Sequence, residues 1–166
     1  MKVNFNGRLE NFCQAGKMEN MVYDEMVEYA DSYNSDCVSM YVDLYKCAKI
    51  SKRNNHILEH IYSIIIDEDT FKYPYEIIRD FKEVISLIDF LDEKDEDKFD
   101  DICRKVLNFF RKQYRDSIWG NGQNGTAPYA SIVASSVELT EVAEIIISTD
   151  MRNLRSYQMA LSVLGS

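Results

Sequence analysis

The stretch Pro74-Tyr75-Glu76-Ile77-Ile78-Arg79-Asp80-Phe81-Lys82-Glu83-Val84-Ile85-Ser86-Leu87-Ile88-Asp89-Phe90-Leu91 decides the fold class. Ile77, Ile78, Phe81, Val84, Ile85, Ile88 and Leu91 recur at intervals of three and four. That spacing places them on one face of an α-helix, whereas a strand would need strict alternation. Pro74 suits a first helical turn, where its missing N–H costs nothing. Glu76 sits where the helix dipole favours an acid.

The same spacing extends in both directions. It predicts helices over Met18–Tyr33, from Asp36 to about Ser51, and over Asn55–Asp67. It predicts another from about Asp95 to Ile118, with acids in its first turn and Arg104, Lys105, Arg111, Lys112 and Arg115 further on. Residues 119–127 form a Gly- and Asn-rich loop. A sixth helix is expected over Tyr129–Ile147, and a seventh is expected after a cap at Asp150. Tyr129–Ile147 contains only three charged residues and many small ones, so it is expected to be the buried central helix. Residues 1–16 are expected to be an irregular strap. The expected fold is all-α: one bundle of about seven helices in a single domain, residues 1–166.

A chain of 166 residues, 46% hydrophobic and 28% charged, can bury a substantial core. Its 28 acids against 19 bases give a formal charge of −9. Such a chain repels phosphate backbones and anionic lipid surfaces, so neither nucleic acid nor membrane is an expected partner. No apolar run follows Lys2, so no signal peptide is expected. The four cysteines, Cys13, Cys37, Cys47 and Cys103, contain no Cys-x-x-Cys pair. Cys37 and Cys47 would stand about 15 Å apart along one helix, too far for a disulfide. Four reduced thiols in a cytoplasmic protein are the expectation.

Motifs that carry chemistry are few. His56-Ile57-Leu58-Glu59-His60 resembles the inverted zincin signature H-x-x-E-H. The resemblance covers five residues. It implies a zinc hydrolase in which His56 and His60 bind the metal and Glu59 activates water. Against it, His56 and Glu59 fall on the polar flank of their helix, and a third ligand is not evident. There is no Gly-x-Ser-x-Gly elbow. The glycines at 120–125 follow a helix rather than a strand, so they read as a connector rather than a phosphate cradle. No cofactor, metal or catalytic residue is expected.

Charge patterning points elsewhere. Residues 61–100 hold 13 acids and 5 bases, while residues 101–120 hold 2 acids and 5 bases. The densest part, residues 89–101, has eight acids and two lysines in 13 positions. Asp95, Glu96 and Asp97 serve a helix N-terminus. The full cluster, with Asp92 and Glu93, makes a field able to steer a basic partner. Eleven tyrosines add amphipathic contact area, and Tyr33, next to Asp36 at a helix end, is the one expected to be exposed. The leading expectation is a non-catalytic inhibitor of the immunity or antitoxin type that covers the basic cleft of a nuclease toxin. Its contacts would be Asp92, Glu93, Asp95, Glu96, Asp97, Tyr33 and Asp36. Two alternatives stand beside it: the zinc hydrolase, and a viral Bcl-2-like adaptor holding an amphipathic helix in an apolar groove.

Overall fold

The computed structural model describes residues 38–50, 57–67, 72–119 and 129–165. Among the described residues every regular element is helical: α1 (Val38–Ile50), α2 (Ile57–Ile65), α3 (Pro74–Ile85), a 3-10 turn (Ile88–Phe90), α4 (Glu93–Trp119), α5 (Tyr129–Ser148) and α6 (Arg155–Gly165). None of these helices is long and apolar enough to cross a membrane. The helix expected over Met18–Tyr33, the strap over 1–16, Tyr33, Asp36 and His56 lie outside the described residues.

The apolar stripes become the core. Val38, Tyr41, Val42, Tyr45 and Ala48 of α1 are buried against α2 and α3. Ile57, Leu58, Ile61, Ile64 and Ile65 of α2 meet the same core and pack on α4. α4 supplies Phe99, Ile102, Cys103, Val106, Leu107 and Phe110, and it touches α2, α5 and α6.

The start of α3 is as its residues dictate. Pro74 occupies the first turn, and the Glu76 carboxylate accepts the Tyr73 N–H at 3.2 Å. Its end comes earlier than the periodicity suggests. The Ser86 hydroxyl donates to the Glu83 carbonyl, competing with the helical ladder. The chain then turns, burying Leu87 completely, before the 3-10 turn.

Two ion pairs lock the connections. Lys72 Nζ stands 3.2 Å from Asp80 Oδ2 and donates to the Ile64 carbonyl at 3.1 Å, so it ties α2 to α3. Asp100 is buried in α4. Its Oδ1 accepts the Ser156 N–H at 2.8 Å, and its Oδ2 accepts Arg104 Nε at 3.0 Å. A side chain of one helix therefore satisfies a free N–H at the start of another.

Two expectations need correction. Asp150 does not open the last helix. It has φ 55°, in the left-handed region that Asp tolerates, and its N–H closes α5 on the Ile147 carbonyl. α6 begins five residues later. Nor is Tyr129–Ser148 a helix buried along its length. Only Leu139, Val142, Ala143 and Ile146 are buried, and Tyr129, Val133 and Val137 are exposed. Low charge and small side chains permit close approach, but here α4 and α6 cover only the C-terminal half.

The thiols also differ from expectation. Cys103 is free and buried, while Cys47 is disulfide-bonded, and its partner lies outside the described residues. The expected cytoplasmic location leaned on four reduced thiols, and this bond removes that support. Val38 and Cys47 are nine positions apart along α1, about 13.5 Å of rise. Cys37 is one peptide unit, about 3.8 Å, from Val38. It therefore cannot approach Cys47 within the roughly 7 Å a disulfide needs. Protein purified without reductant is expected to show two free thiols, and non-reducing peptide mapping is expected to join Cys47 to Cys13. Four free thiols, or a Cys37–Cys47 peptide, would contradict this.

Candidate functional site

The acidic stretch divides into acids with internal partners and acids without. Asp92 caps α4: its Oδ1 accepts the Asp95 N–H at 3.1 Å. Its other oxygen stands 2.8 Å from Lys49 Nζ. Lys49 also pairs with Asp95 at 2.6 Å, and the Tyr45 hydroxyl donates to Asp95. Burial first, then the hydrogen bond to Asp95 and the Asp95 charge, hold that hydroxyl well above the ordinary tyrosine range, so it remains a donor. The Lys49 hydrogen bond draws the Asp92 carboxyl below its usual range. Burial opposes the charge of Lys49, yet its two carboxylate partners raise it overall. Further along α4, Asp100 and Asp101 both engage Arg104.

Asp92 and Asp95 therefore fasten α4 to α1, Asp100 fastens it to α6, and Asp101 pairs within α4. Asp89, Glu93, Glu96 and Asp97 form no ion pair among the described residues. Glu93, Glu96 and Asp97 stand at i, i+3 and i+4, so they share one ridge on the first turns of α4, and Glu93 and Asp97 are exposed. The structure thus keeps Glu93, Glu96 and Asp97 of the expected contact set available. It gives Asp92 and Asp95 structural partners.

The other sequence candidates take ordinary places. Glu59 pairs with Lys98 at 3.2 Å, and His60 stacks on the Tyr41 ring with centroids 5.4 Å apart. Among the described residues no group of three or more His, Cys, Asp or Glu is placed to hold a metal. Tyr41 and Tyr45 are core residues, and among the described residues the exposed tyrosines are Tyr73, Tyr75 and Tyr129. Tyr62 joins α2 to α4 through cation–π contacts, with Lys98 Nζ 4.5 Å and Lys105 Nζ 4.7 Å from its ring centre.

A second surface was not singled out from the residues. Beyond Phe110, α4 has no buried residue, and α5 has none before Leu139. Between these stretches and the end of α6 lies a cleft of about 1120 Å³. Arg111, Lys112 and Arg115 line it on α4, Ser136, Leu139 and Thr140 on α5, and Met159, Val163 and Leu164 on α6. No acid lines it. Ile118 and Trp119 are exposed at the end of α4, and Tyr129, Val133 and Val137 on α5. The excess of bases over residues 101–120 was the signal for this face. It stayed unread because the neighbouring uncharged helix was assigned to the interior.

No family model, curated protein or solved structure matches this chain.

Proposed function

We infer that this chain is a non-catalytic protein-binding module, of the immunity or antitoxin type, that meets a basic partner such as a nuclease toxin. The observation that carries the reading is the division of the acids. Among the described residues Asp89, Glu93, Glu96 and Asp97 form no ion pair, although Lys49 and Arg104 stand in the same region. A ridge of uncompensated carboxylates on a rigid helix steers cationic surfaces during encounter.

The test is an affinity purification from the native host, run in parallel with wild type and with a variant carrying Asp89→Lys, Glu93→Lys, Glu96→Lys and Asp97→Lys. Asp92 is left intact because it caps α4. The expected partner is basic, is lost from the variant, and associates at least about tenfold more slowly with it at low salt. High salt should shrink that difference, because exposed charges are screened beyond roughly 8 Å at physiological ionic strength. A partner held equally by both proteins at both salts would remove the acidic ridge from the account. A recovered nuclease left fully active by the bound chain would remove the inhibitor role.

The cleft favours a second reading, an adaptor that captures an amphipathic helix. It presents apolar rims and polar walls, the surface such a helix needs. The two readings use opposite ends of α4.

A further inference from the structure

We propose that the cleft between α4, α5 and α6 is a docking groove for an acidic amphipathic helix of a partner protein. This rests on the helix-capture reading and adds the chemistry of the occupant. Arg111 and Arg115 are spaced one turn apart along α4, with Lys112 beside them, and Trp119 continues the same face one turn later. All three cations are exposed, and among the described residues none forms an ion pair, although the chain as a whole carries −9. On the opposite wall, Ser136, Leu139 and Thr140 of α5 line the cleft, and Tyr129, Val133 and Val137 are exposed on the same helix outside that lining. Leu139, Val163 and Leu164 contribute apolar surface to the cleft.

The occupant follows from complementarity. The α4 wall is cationic, so a basic segment is repelled and an acidic one is favoured. The α5 wall and the groove floor offer apolar contacts, which call for an apolar stripe at helical spacing. Arg111 to Trp119 spans about 12 Å and Tyr129 to Thr140 about 16.5 Å. About two to three turns of helix match that length. Trp119 at the end of α4 and Tyr129 at the start of α5 are exposed and are residue types that recur as interface anchors. The distribution of burial agrees: the uncovered parts of α4 and α5 end where the core ends, at Phe110 and Leu139.

The experiment uses the full chain and a displayed library of helical peptides about 15 residues long. Their apolar stripe is fixed, and the flanking positions are random. Selection is run against wild type and against a variant with Arg111→Glu, Lys112→Glu and Arg115→Glu, whose helicity is checked by circular dichroism. Wild type is expected to enrich peptides with Asp and Glu on the flanks. These should bind the variant at least about tenfold more weakly and shift the emission of Trp119, the sole tryptophan. Enrichment of basic flanks, or equal binding to the variant, overturns the charge assignment and leaves helix capture standing. No enrichment overturns both.

Two further outcomes reassign the occupant and overturn the proposal. The first is binding that appears only after residues 1–33 are removed; Met18–Tyr33 carries five acids and no base, so this chain's own segment would then fill the groove. The second is a dimer in sedimentation that dissociates when peptide is added.

Discussion

Replacing Asp80 with alanine is expected to cost about 3–5 kcal/mol of folding stability, the range for breaking a buried ion pair from one side. The Asp80 and Lys72 side chains are only 8% and 9% exposed. Without the carboxylate, the Lys72 ammonium keeps the Ile64 carbonyl but has no nearby buried countercharge. Arg79 approaches the other Asp80 oxygen at 3.5 Å, yet it is 65% exposed and contributes little. Urea denaturation should therefore show a lower midpoint with an unchanged slope. The double substitution Lys72→Met, Asp80→Leu should recover most of the loss, because it removes both charges and fills the space. A single-variant loss below about 1 kcal/mol would show that water reaches Lys72 and that the link is not a structural lock.

Asp100→Ala is expected to cost about 2–3 kcal/mol. Part is a lost helix cap, worth about 0.5–2 kcal/mol, since the Ser156 N–H donates to Asp100. The rest is the Arg104 contact, discounted because Arg104 is 33% exposed and can turn to solvent. Asp100→Asn keeps an acceptor for Ser156 and should recover roughly half. The diagnostic measurement is amide exchange at Ser156, which should accelerate in the alanine variant far more than in the asparagine one. Equal acceleration in both would assign the stabilisation to charge rather than to capping.

These two locks explain where the residue pattern stops being informative. The stripe through Ile77, Phe81 and Val84 placed α3 within a few residues, because burial at helical spacing is a local property. The Ser156–Asp100 bond joins positions 56 apart. Nothing near Asp100 in sequence distinguishes it from Asp97, which forms no ion pair among the described residues. A run of eight acids therefore read as one surface, although half of its members have internal partners and three of them fasten helices. The misplacement of Tyr129–Ser148 has the same origin. An uncharged helix is suited to contact, but its sequence does not say whether the contact lies within the fold or outside it. Val133 and Val137 were legible as helical residues and their exposure was not; Trp119, expected in the loop, is instead the last residue of α4.

The 27 residues of α4 form one continuous rod of about 40 Å. Its acidic ridge and its cationic wall are separated by roughly 20–30 Å along that axis, several screening lengths at physiological salt. The two ends therefore do not neutralise one another. The rod behaves as a bipolar bar whose poles are electrically independent in the cell but feel each other in dilute buffer. A molecule built this way can hold two unlike surfaces at a fixed spacing. That spacing is set by the pitch of a single helix, with no hinge between its ends.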